Sequence, residues 1–172
     1  MEHFLDDLCT PEWHEPHDRG VPAAESCAQL ALRNPEFTDL IWAWSERSEE
    51  MVAGAIPESV EILKDIVGAG MACFALTNME AETYPLRLER FPFLDWFEGT
   101  VVSGKEGISK PDPEIFTRMI DRFNLTTSST LMIDDNEDNL LTASSIGMQT
   151  VQFHSPSELR RSLETVGLLG TR

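Results

Sequence analysis

The sequence predicts an α/β protein, with a parallel sheet covered by helices on both faces and a small α-helical region beside it. Three observations predict this. Met71–Leu76 (MACFAL) and Thr130–Ile133 (TLMI) are short continuous apolar runs, as expected of strands buried on both faces. From Ile56 onward such runs alternate with segments of helical length, the pattern of a parallel sheet. Before Ile56 the chain is strand-poor, and its apolar residues fall at helical spacing.

In chain order, Met1–Leu8 reads as a short helix, and Thr10-Pro11-Glu12 as a cap with proline in the first turn. His14–Gly20 is polar and interrupted by Pro16 and Gly20, so a loop is expected there. Pro22–Leu32 and Glu36–Arg47 read as helices, the second with Leu40, Ile41 and Trp44 on one face. Pro57 opens a helix that runs to Val67 and is stopped by Gly68 and Gly70. The MACFAL strand follows, then a helix over Ala81–Glu89 and a strand at Thr100–Val102. Pro113–Phe123 is helical, TLMI is the next buried strand, and Asn136–Ile146 is a helix closed by Gly147. Thr150–Phe153 is a strand, and Ser157–Val166 a last helix behind Ser155-Pro156. The chain thus divides into a helical region, residues 1–55, and an α/β region, residues 56–172.

Composition narrows the function. With 172 residues, 41% hydrophobic and 25% charged, the chain has the make-up of a soluble globular protein able to bury a sizeable core. No segment approaches the roughly 18 consecutive apolar residues of a membrane span. No basic start with an apolar run marks a secretory signal, so a cytoplasmic protein is expected. The net charge of -17 argues against nucleic acid and anionic membranes, since both require clustered Lys and Arg. Lys64, Lys105 and Lys110 are the only lysines. An anionic substrate would therefore need a local positive site, which gives weight to a metal ion and to helix N-termini. Cys9, Cys27 and Cys73 are scattered without the spacing of a disulfide framework or zinc site. His3, His17 and His154 show no metal-ligand spacing, while Trp13, His14, Trp42 and Trp44 are available to contact a ligand or to pack.

Ligands of open parallel sheets bind beyond the carboxyl ends of the strands, and three polar segments fall at such places. Thr77-Asn78 ends the MACFAL run, where a hydroxyl, an amide and backbone N–H groups can cradle an anion; the same residues would also serve as a helix N-cap. Lys110 sits in Gly107-Ile108-Ser109-Lys110-Pro111-Asp112-Pro113, where prolines stiffen the backbone around it. Its ammonium could neutralise a phosphate or hold a carboxylate, or simply lie in a surface turn. Asp134-Asp135-Asn136 follows TLMI directly, with Asp138 and Asn139 one helical turn on. Adjacent carboxylates repel, so they favour a cation, and an all-oxygen set suits Mg²⁺; an acidic first helical turn is the plainer reading.

A strand ending in Thr-Asn, then a Lys-Pro-x-Pro loop, then a strand ending in Asp-Asp-Asn-x-x-Asn resembles the haloacid-dehalogenase-like hydrolases, with their Rossmann-like sheet, in the branch with a helical cap. The resemblance runs from about Ile56 to Leu168, and the N-terminal helices resemble part of the cap. It implies that Thr77 binds the transferred group with Asn78 beside it. Lys110 would orient nucleophile and phosphate. Asp135 would be a Mg²⁺ ligand, flanked by Asp134 and the outer-shell Asn139.

The family's first motif is an apolar strand ending in Asp-x-Asp, whose leading aspartate is the nucleophile. It lies at the centre of the sheet, between the strands that here end at Thr77 and Asp134. No apolar strand precedes Met71 in this sequence. Phe4-Leu5-Asp6-Asp7 is a poor substitute, because its carboxylates are adjacent and almost no strand precedes them. The resemblance therefore implies an α/β core lacking its central strand, with two facing edges open to self-association. It further implies Mg²⁺-dependent hydrolysis of a small phosphorylated metabolite through an aspartyl-phosphate, the nucleophile being absent from this chain. The alternatives are 2-haloacid dehalogenation, which two acids at a metal-free site would not serve, and a non-catalytic binding or regulatory role.

Overall fold

A computed structural model describes Phe4 and residues 7–170. Asp6, the weak nucleophile candidate, lies outside the described residues, as does most of the helix expected over Met1–Leu8.

The N-terminal region contains α1 (Pro11–Asp18), α2 (Ala23–Arg33) and α3 (Thr38–Glu46). The loop expected over His14–Gly20 is instead helical as far as Asp18. Thr10 caps this helix by accepting from the Trp13 N–H, and Pro11 sits where no N–H is needed. Pro16 costs one interior hydrogen bond. Packing offsets that loss, because the Trp13 ring meets His17 edge-on at 4.7 Å and His17 is 1% exposed. Cys9, Cys27, Ala31 and Ile41 form a core with Phe4, bordered by Trp13, Trp42 and Trp44. Burial pushes the Cys9 thiol up to about 11, with Cys27 adding to the shift.

The remainder alternates as α4 (Pro57–Gly68), β1 (Phe74–Thr77), α5 (Thr83–Arg90), β2 (Gly99–Val102), the single turn α6 (Ser103–Glu106), α7 (Pro113–Phe123), β3 (Leu131–Asp134), α8 (Glu137–Ser145), β4 (Gln149–Gln152) and α9 (Pro156–Thr165). β1 pairs with β2 and β3 with β4, both in parallel register. These are two separate two-stranded sheets, and β1 and β3 are not hydrogen-bonded to each other. Among the described residues no strand precedes Phe74. This corrects the expectation that MACFAL and TLMI are wholly buried. All four residues of β1 and the first three of β3 are only half-buried, since each strand is paired on one side alone.

Helices cover both faces. On one, Ile115, Phe116 and Met119 of α7 and Ala143 of α8 pack with Val101 of β2, against Phe74, Leu76 and Met132. One apolar layer therefore spans both half-sheets. On the other face Ile62 of α4 and Leu159 and Leu163 of α9 cover Leu131, Ile133 and Val151. Burying such side chains contributes about 1.5–3 kcal/mol each. No described helix is long and apolar enough to cross a membrane.

Candidate functional site

The carboxyl ends of β1 and β3 and the loop after α6 converge. Thr77 ends β1, and its hydroxyl makes one long contact, 3.5 Å to the Asn78 carbonyl. Asn78 faces Lys110 through both ends of its amide: Nδ2 donates to the Lys110 carbonyl at 2.9 Å, and Oδ1 accepts from the Lys110 N–H at 2.8 Å. Asn78 thus clamps a peptide unit rather than standing free beside Thr77. Spacing along the chain gives no sign of this pairing, because the two residues are 32 apart.

From that clamp the Lys110 side chain reaches the other half-sheet, where Nζ donates to Asp134 Oδ2 at 2.6 Å. Asp134 closes β3 and is 8% exposed. Its other oxygen accepts from the Asn136 N–H and from Asn139 Nδ2, both at 2.9 Å. Burial alone would raise the Asp134 carboxyl. The Lys110 ammonium, the Asn139 amide and the Asn136 N–H outweigh burial and hold it below the usual aspartate value. Asp134 is therefore a charged anchor whose two oxygens both have protein donors.

Asp135 and Asp138 are exposed, while Asn139 is buried on the inner side of α8. Asn136 caps α8 by accepting from the Asp138 N–H at 2.8 Å. With Nδ2 given to Asp134, Asn139 Oδ1 is a buried oxygen without a hydrogen-bond partner. The exposed Asp135 carboxylate and the unpartnered Asn139 amide oxygen are both oxygen donors, the kind Mg²⁺ takes alongside part of its water shell.

Close backbone packing supports the site. The Gly104 N–H donates to the Met79 carbonyl at 3.1 Å, and a Cβ on Gly104 would meet Ala81 N at 2.5 Å. The Ser103 hydroxyl accepts from the Met79 N–H at 2.9 Å. The end of α1 also docks here: Arg19 Nε donates to the buried Ser109 hydroxyl at 3.0 Å, one residue before Lys110. Beside that dock, His14, His17 and Glu80 converge, a grouping hidden in the sequence by the loop expected at residues 14–20. Burial and His14 lower the His17 imidazole pKa, with Glu80 opposing.

The family profile described as haloacid dehalogenase-like hydrolase matches residues 17–153, which include every one of these strand-tip groups. The chain belongs to that family. Among curated relatives, a sesquiterpene phosphatase of Aspergillus oryzae is 28% identical over 63% of this chain and 55% of its own length. A ribulose-1,5-bisphosphate 5-phosphatase of Halopiger xanaduensis is 29% identical over 74% of this chain and 53% of its own. The chain therefore spans about half the length of these two relatives. A haloacid dehalogenase family enzyme of Bacteroides thetaiotaomicron, solved with magnesium, aligns at TM-score 0.71 over 90% of this chain and 82% of that one. A variant of that enzyme, with an aspartate replaced by alanine, is a complex with magnesium and inorganic phosphate and aligns at TM-score 0.67 over 86% of this chain and 80% of that one. Identities of 19% and 18% make this a likeness of fold.

Proposed function

We propose that this site serves Mg²⁺-dependent hydrolysis of a small phosphorylated metabolite. The observation that carries the reading is the Lys110 ammonium, held between the two strand tips by the Asn78 clamp and the Asp134 carboxylate. In a chain with so few lysines, a cation fixed at that place suits a phosphate dianion. In this reading Thr77 donates its hydroxyl to a phosphoryl oxygen and Lys110 neutralises a second. Asn78 and Asp134 act as positioning residues through Lys110. Asp135 would hold Mg²⁺, with Asn139 Oδ1 facing the ion or one of its waters. When bound, Mg²⁺ would supply charge neutralisation at the phosphate.

The attacking carboxylate belongs, in this proposal, to an apolar strand entering between β1 and β3. The phosphatase relatives support the substrate class, and the two adjacent acids at the tip of β3 favour phosphate over a haloacid carboxylate. The test is hydrolysis of an aryl phosphate with Mg²⁺. The 172-residue chain should show no turnover. The same chain extended by an apolar strand ending in Asp-x-Asp should gain it, and lose it again on Asp135→Asn. Robust turnover by the unextended chain, abolished by Asp6→Asn, would overturn the placement of the nucleophile.

A further inference from the structure

We propose that His14, His17 and Glu80 form a site for a zinc-class divalent ion that pins α1 to the loop following Thr77. The inference does not depend on the phosphatase reading. His14 and His17 stand three residues apart on α1, so their imidazoles share one helix face. Their Nδ1 atoms are 3.4 Å apart, and Glu80 Oε1 lies 3.7 Å from His17 Nδ1. One ligand atom from each residue falls within 4.8 Å of the others. A tetrahedral ion at ordinary Zn–N distances separates its ligand atoms by about 3.4 Å, so the group is nearly preformed.

Two further observations point the same way. His14 Nε2 faces Asp18 Oδ1 at 4.0 Å. The carboxylate stands on the side where the outer-shell partner of a ligating histidine belongs, beyond direct hydrogen-bond reach, while Nδ1 faces His17. In addition, a cavity of about 30 Å³ is bordered by His17, Gly20, Glu80 and Ala81. That space admits a single water beside two of the three proposed ligands, His17 and Glu80, although His14 does not border it; a three-residue zinc site leaves one position open for such a water. Two imidazoles and one carboxylate select a transition metal over Mg²⁺, which prefers oxygen donors.

Metal binding here would add a bridge between the N-terminal helices and the loop carrying Asn78. α1 already meets that region closely, since a Cβ on Gly20 would lie 2.7 Å from the Gly104 carbonyl oxygen.

The experiment is a calorimetric Zn²⁺ titration of the full chain, stripped with chelator and held in excess Mg²⁺. It is paired with a Co²⁺ titration read by absorbance and by tryptophan emission. Expected are one Zn²⁺ per chain, a tetrahedral Co²⁺ spectrum, and partial quenching of the emission of the four tryptophans, since the Trp13 ring lies 4.7 Å from His17 and that of Trp44 6.1 Å from His14. His17 is fully buried and its replacement could unfold the chain, so the variants are His14→Ala and Glu80→Gln. Each should weaken Zn²⁺ binding by more than the roughly 10–100-fold of an outer-shell change. Asp135→Asn should leave it unchanged. The proposal is overturned if the wild-type chain shows no saturable one-to-one binding, if both variants bind as tightly as wild type, or if Asp135→Asn removes the signal.

Discussion

Lys110 Nζ donates to Asp134 Oδ2 at 2.6 Å, joining the loop beyond the β1–β2 pair to the tip of the β3–β4 pair. The two half-sheets share no backbone hydrogen bonds, so this ion pair and the apolar layer under α7 and α8 connect them. Lys110→Ala would leave Asp134 charged, buried and short of one donor. Breaking a buried pair costs roughly 3–5 kcal/mol, and the lower end applies where the lysine is still 11% exposed. Urea unfolding of Lys110→Ala should show a loss of about that size. A loss below about 1 kcal/mol, as for surface ion pairs, would mean that the pair is solvated.

Asn78→Ala removes both bonds to the Lys110 peptide while leaving every charge in place. It should cost about 1–3 kcal/mol and weaken phosphate binding through misplaced Lys110. Asn78→Asp keeps an acceptor for the Lys110 N–H but sets a carboxylate oxygen against the Lys110 carbonyl, so it should cost at least as much. A denaturant midpoint left unchanged by both substitutions would argue against the clamp.

Gly104→Ala tests the contact between the loops after β1 and β2. The added methyl would meet backbone, Ala81 N at 2.5 Å and the Met79 carbonyl oxygen at 2.8 Å, so neither neighbour can simply rotate away. Overpacking of this kind costs about 1–3 kcal/mol. The melting temperature should fall accordingly, whereas Gly107→Ala, with nothing near its Cβ position, should show only the cost of its positive φ.

Glu106 predicts a pH dependence. Its hydrogen bond from Arg122 lowers the carboxyl below the usual glutamate value, burial opposes this, and Arg118 lowers it further. A depressed folded value favours the native state above the unfolded value, about 4.3. That contribution is lost as pH falls through the lower folded value. Glu106→Gln should therefore be less stable than wild type at neutral pH, and the two unfolding curves should converge below about pH 4. A gap that persists unchanged at acid pH would assign the effect to packing.

Legibility in the sequence followed burial and chain position. Thr77 and Asp134 could be read because strand tips collect polar residues after apolar runs, and Lys110 because it is one of three lysines and sits in a proline-stiffened loop; the structure brings the three segments together. Asn78's attachment to Lys110 was not legible, since a side-chain amide clamping a distant peptide leaves no periodic trace. The stretch His14–Asp18 was misread because Pro16 and polar residues suggest a loop. Capping by Thr10 and the packing of Trp13 on His17 override that local preference. With the helix missed, the shared face of His14 and His17 was missed too.

The central claim is a Mg²⁺-assisted phosphate site at Thr77, Lys110 and Asp135, and it is tested most directly by equilibrium binding of inorganic phosphate. Affinity should be measured with and without Mg²⁺ for wild type, Asp135→Asn and Asp138→Asn. The account predicts Mg²⁺-dependent binding that Asp135→Asn weakens by about 100-fold or more, an ion's charge at a phosphate contributing several kcal/mol. Asp138, exposed on the first turn of α8, should matter little. Binding indifferent to Mg²⁺, or equal losses from the two substitutions, would contradict it.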